Sequence, residues 1–157
     1  PSGAGSPPPR FNHTANVVGG TRMYVFGGQD GKRSFNDVHV LDLEVMAWKA
    51  PECSGPAPVP RSGHAAILIG NNLVVHGGFK MQANVQQATL KSIGTLLTNS
   101  YYDDIRVLDT DTFVWSRLRI SGLPPVARHG HTLNISGSDI IMFGGWTKNS
   151  GNKDFSM

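Results

Sequence analysis

Three histidines, His13, His64 and His131, each stand three positions after an arginine: Arg10, Arg61 and Arg128. Imidazoles ligate metals and carry protons, and guanidiniums grip carboxylates or phosphates through paired N–H donors. Were all three rings to point at one axis, they would offer a three-nitrogen metal site with bonds of roughly 2.1 Å. The competing reading is structural. Buried imidazoles find hydrogen-bond partners, and recurrence in every unit fits bonds from one unit to the next. We favour the structural reading, and assign no metal, cofactor or catalytic group. The arginines divide in the same way. Converging at one rim, Arg10, Arg61 and Arg128, with His129 as a titratable neighbour, would bind an acidic ligand. Alternatively, each bonds backbone carbonyls between units.

The elements that position these residues are repeated. Each Arg and His pair is followed by an apolar run and two glycines: Gly27 and Gly28, Gly77 and Gly78, Gly144 and Gly145. Downstream, "NDVHVLDLEVMAW" matches "DDIRVLDTDTFVW", which aligns Asp42 with Asp109 and Trp48 with Trp115. The third copy stops before its Asp and Trp half. The runs "RMYVF", "NLVVH" and "DIIMF" are too short for helices and apolar on both faces, as strands buried on both sides are. Asp42 and Asp109 end a second strand in a turn, by bonding their own backbone, and the Trp strand follows. Each unit is thus four antiparallel strands over about 50 residues.

This pattern resembles the kelch repeat, in which each unit is one blade of a β-propeller. The resemblance covers residues 10 to 157 and implies an all-β partial propeller of four-stranded antiparallel blades. Residues 1–9, "PSGAGSPPP", read as a Pro/Gly/Ser-rich linker. Repeat 1 spans 10–60, repeat 2 spans 61–127, and the truncated repeat 3 spans 128–157. The anchors have structural roles: paired glycines permit close backbone approach, and a Trp on the outer strand fills the widening gap between blades. Two departures alter packing only. Leu41 and Leu108 replace an aromatic, and His76 stands where the other copies carry Phe26 and Phe143.

Two and a half blades cannot close a ring that removes sheet edges. We expect a fragment of a longer kelch protein, with further blades or self-association completing it. The 157 residues are 39% hydrophobic and 16% charged, with 19 Gly and 10 Pro, a globular composition rich in turns. A net charge of +3 without a basic cluster argues against nucleic acid. No apolar run reaches membrane-spanning length. The single cysteine, Cys53, points to a reducing, cytoplasmic setting. Two glycosylation patterns, at Asn12 and Asn134, fall in expected strands, where burial would exclude a glycan.

Gly78 to Asp104 spans 26 positions, where Gly28 to Asp37 spans 9. This insertion, at 79–102, places Met81, Val85, Ala88, Leu90, Ile93 and Leu97 at spacings a short amphipathic helix would use. Long loops on rigid scaffolds carry function. Lys80, Met81, Leu90 and Ile93 therefore join the three arginines and His129 as candidate partner contacts. The resemblance implies a non-catalytic scaffold or substrate receptor for a protein or peptide, acidic by the arginine reading. The alternative is part of a kelch-type enzyme, either a metal-dependent oxidase, a specifier-like protein or a multidomain phosphatase. An oxidase of that kind needs a Cys crosslinked to a Tyr, and Cys53 lies in an inter-repeat loop.

Overall fold

A computed structural model of the chain describes residues 4–82 and 98–147. Every regular element in those residues is a strand. β1 (Thr14–Val18), β2 (Arg22–Phe26), β3 (Val38–Asp42) and β4 (Ala47–Lys49) form the first antiparallel blade in chain order. β5 (Ala65–Ile69) and β6 (Asn72–His76) open the second blade, and β9 (Ile105–Asp109) and β10 (Val114–Arg117) complete it. Between them, β7 (Phe79–Gln82) and β8 (Thr98–Tyr101) pair as a separate two-stranded ladder. The third unit contributes β11 (His129–Ser136) and β12 (Asp139–Trp146).

The apolar runs pair where expected. Tyr24, Val25 and Phe26 of β2, and Leu73, Val74 and Val75 of β6, are buried on both faces. The strand after each is ended by its Asp. Asp42 Oδ1 accepts from the Glu44 and Val45 amides at 3.0 and 3.2 Å, and Asp109 Oδ1 accepts from those of Asp111 and Thr112 at 3.0 and 2.9 Å. The carboxylate takes amides that the tight turn leaves without a ladder partner. These turns close through Met46 and Phe113 at φ of 55° and 56°, a left-handed conformation found here without glycine.

One core lies between the first two blades. Val18, Tyr24, Phe26, Val38 and Val40 of blade 1 face Leu73, Val75, Leu108 and Trp115 of blade 2. Trp115 is 1% exposed, with its ring centroid 5.1 Å from that of Phe26, so it fills the gap between blades. Trp48, at the same point in blade 1, is half-buried. At the turn end, Tyr24 donates its hydroxyl hydrogen to the Thr110 carbonyl across the gap at 2.8 Å.

Two expectations need correction. Asn12 lies ahead of β1 with φ 55°, not within a strand, and both it and Asn134 are exposed, so burial does not exclude glycans at these sites. Met81, expected to begin a helical face, lies in strand β7. The rest of that expected helix, including Leu90 and Ile93, falls outside the described residues. Among the described residues, no helix is long and apolar enough to cross a membrane.

Candidate functional site

The paired glycines join the blades. A side-chain carbon on Gly27 would stand 2.9 Å from both the Arg61 carbonyl oxygen and the His64 ring, and one on Gly77 would stand 2.5 Å from the Arg128 carbonyl oxygen. Gly28 and Gly78 then donate their amides across the gap to the Arg61 and Arg128 carbonyls, at 2.9 and 2.8 Å. A second backbone chain runs from Gly63 to the Asn12 carbonyl and from Gly130 to the Gly63 carbonyl. These bonds set β1, β5 and β11 side by side along the inner edge.

The histidines also bridge blades, but through side chains. His64 Nε2 lies 2.9 Å from Thr14 Oγ1 of the preceding blade. In the next gap the position equivalent to Thr14 is Ala65, and His131 Nε2 instead meets His76 Nδ1 at 2.9 Å. Thr14 pairs with Phe26 across β1 and β2, and Ala65 pairs with His76 across β5 and β6. The hydrogen-bonding group has therefore moved from one strand to its neighbour. Phe26 packs edge-on against His64 just as His76 packs against His131. Burial pushes all three rings down, assisted by neighbouring positive charge: His64 to about 3, His76 and His131 to about 4. They are neutral at physiological pH. His13, on the outer side of the first described blade, is exposed and is lowered by partial desolvation and by Arg10. Among the described residues, no three His, Cys, Asp or Glu side chains gather as metal ligands.

Each arginine is held inside its own blade. Arg61 is 0% exposed, forms a bidentate pair with Asp104 at 2.8 and 3.1 Å, and donates to the Gly77 carbonyl at 2.9 Å. Arg10 repeats this with Asp37, at 2.6 and 2.9 Å, and with the Gly27 carbonyl at 2.9 Å. Arg128 reaches the Gly144 carbonyl at 2.9 Å. The carbonyls belong to the arginine's own blade, not to the next one. Burial alone would raise the Asp37 and Asp104 carboxyls, but the guanidinium bonds and charge outweigh it and hold both below the usual carboxylate range. A guanidinium enclosed in this way has few donors to offer a ligand.

A different cluster occupies the end of the blades where the glycine pairs lie. Phe79 and Tyr101 are opposite one another in β7 and β8, and His129 and Trp146 are opposite in β11 and β12. The His129 centroid lies 4.8 Å from Phe79 and 5.5 Å from both Tyr101 and Trp146, and Tyr101 lies 5.1 Å from Trp146. His129, expected as a titratable neighbour of converging arginines, lies among aromatic rings instead. Partial burial lowers it. Trp146 is 49% exposed, and so is Phe11 on the same end of blade 1. Lys80 in β7 is half-buried. Sequence reasoning missed the cluster, although Phe79 and Trp146 share the column directly after the glycine pair. Tyr101 sits in the insertion and carries no repeat signal.

Four-stranded blades, joined edge-on by glycine amides and bridging histidines, define a segment of a β-propeller. The model of the KLHDC2/KLHL20/DRC7 Kelch-repeats domain matches residues 1–95, and the chain belongs to the kelch-repeat family. It is 36% identical over 140 residues to Tip elongation aberrant protein 1 of Schizosaccharomyces pombe, covering 87% of this chain and 11% of that protein. It is 33% identical over 140 residues to the human Rab9 effector protein with kelch motifs, covering 87% of this chain and 34% of that protein. The chain therefore spans about a ninth and about a third of the length of these relatives. The solved structure of YjhT shares the fold, with a TM-score of 0.68 at 20% identity over 87% of this chain and 45% of that one.

Proposed function

We propose that this chain is part of a non-catalytic kelch propeller that binds a protein or peptide partner at the end carrying the β7–β8 hairpin. The observation that carries this reading is the aromatic cluster of Phe79, Tyr101, His129 and Trp146, set between two blades and half open at Trp146. Aromatic rings give large contact area at low entropic cost and dominate protein interfaces. The β7–β8 ladder lies at the same end, and an insertion on a rigid frame is free to specialise. A relative named as a Rab9 effector with kelch motifs is consistent with a binding role.

A preference for acidic partners is the finer reading. With Arg10 and Arg61 committed to Asp37 and Asp104, it rests on Lys80 and on exposed Lys32 and Arg33 in the corresponding blade 1 connection. Further kelch blades of a longer chain, or a second copy, complete the ring. The cytoplasm is the proposed setting, since the single cysteine, Cys53, is free.

The test uses the intact protein. Trp146→Ala, and separately deletion of Gln82 to Ser100, should weaken capture of at least one native partner by tenfold or more, while the melting temperature stays within a few degrees of the parent. Unchanged capture of every partner by both variants would overturn the reading.

A further inference from the structure

The two complete blades share a feature that the repeat anchors do not include. Two positions after Asp104, Arg106 donates from Nε to Asp104 Oδ2 at 2.8 Å and from Nη1 to the Pro56 carbonyl at 2.7 Å. Two positions after Asp37, His39 does the equivalent. Its Nε2 lies 2.9 Å from Asp37 Oδ2, and its Nδ1 lies 2.7 Å from the Gly5 carbonyl oxygen. Gly5 precedes Arg10 by the same interval that separates Pro56 from Arg61. In each blade, then, a basic side chain on the third strand clasps the segment entering that blade. Arg106 is permanently charged. His39 is not.

Both groups facing the His39 ring only accept hydrogen bonds. A neutral imidazole has one N–H and one lone pair, so either neutral tautomer would point a lone pair at an oxygen less than 3 Å away. Asp37 does not relieve this by taking up a proton, because its bidentate pair with Arg10 keeps it ionised. Among the described neighbours, Val25 is the residue paired with His39 on β2, and the Lys49 and Ala50 backbone lies against Gly5. The ring is buried at 7% exposure, so water does not substitute.

We propose that His39 is held as an imidazolium bridging Asp37 and Gly5, a proton-dependent clasp that fixes the segment Ala4 to Pro9 on blade 1 where blade 2 uses a permanent charge. The closed clasp binds one proton more than the open one. Stability of the docked segment is therefore present while the ring holds that proton and falls as rising pH removes it. The inference is independent of partner binding at the aromatic end.

The test compares the intact protein with its His39→Arg variant. Trypsin cleavage after Arg10, whose side chain is 3% exposed when docked, reads the opening. Between about pH 6 and about pH 9, the ratio of the parent cleavage rate to that of His39→Arg should rise by up to about tenfold per pH unit. Taking the ratio removes the protease's own pH dependence. If His39→Arg does not fold, the nitrogen chemical shifts of the His39 ring in the parent decide. Two protonated nitrogens at about pH 8, where a free imidazole is almost wholly neutral, support the clasp. A flat cleavage ratio, or a ring with one protonated nitrogen at that pH, would overturn it.

Discussion

Acidification should loosen the blade interfaces well before it touches the carboxylates. His64 is 5% exposed, and burial pushes it down to about 3. In the unfolded chain an ordinary histidine titrates near 6.5. Below that value the unfolded state takes up a proton that the folded state refuses, so the contribution of His64 is complete above about pH 6.5 and falls as the pH drops towards 3. Going from about pH 7 to about pH 5 covers roughly 1.5 units of that window at 1.36 kcal/mol each, or about 2 kcal/mol. His76 and His131, each near 4, act in the same direction across the second gap. Asp37 and Asp104 are held below 3.8, so they lose stabilisation only at lower pH and do not confuse the comparison. Denaturant unfolding of the intact protein and of His64→Gln, at several pH values, isolates the effect. Glutamine can still donate to Thr14 Oγ1 but cannot be protonated. The variant should be less stable than the parent at about pH 7 and lose about 2 kcal/mol less on going to about pH 5. Parallel curves for the two proteins would refute the reasoning.

Arg61→Ala should cost about 2–3 kcal/mol, less than a fully stranded charge because Arg106 still bonds Asp104, while the folded fraction binds partners with unchanged affinity; unfolding and capture assays separate the two. His76→Phe alone removes the partner of His131 and should cost about 1–3 kcal/mol. Adding Ala65→Thr should recover at least about 1 kcal/mol by copying the Thr14 and Phe26 arrangement, as a double-mutant cycle would show. Gly77→Ala meets the Arg128 carbonyl oxygen and should destabilise by more than about 3 kcal/mol, whereas Gly130→Ala has φ 69° but open space and should cost about 1–2 kcal/mol.

The periodic parts of the fold were readable because repetition exposes them. The glycine pairs, the turn aspartates and Trp115 recur at matching places, and each meets the steric or polar demand its residue type implies. What could not be read is pairing across distance. Arg10 finds Asp37 27 positions away and Arg61 finds Asp104 43 positions away, and the insertion between them hides that these spacings are equivalent. Both aspartates stand just ahead of a strand, where an acid looks like an ordinary turn residue. The move of the histidine's partner from Thr14 to His76 depends on which residues oppose each other across two strands, and that is a property of register. The aromatic cluster needs Tyr101, brought beside Trp146 only by the β7–β8 ladder.

The central claim is that partners dock on the aromatic end of the blades. Amide hydrogen exchange of the intact protein, with and without a native partner captured from cells, addresses it directly. The account predicts new protection at Phe79 to Gln82, Thr98 to Tyr101, and around His129 and Trp146, with the turns at Asp42 and Asp109 on the opposite side of the blades unchanged. Protection confined to those turns, with none at the aromatic end, would contradict it.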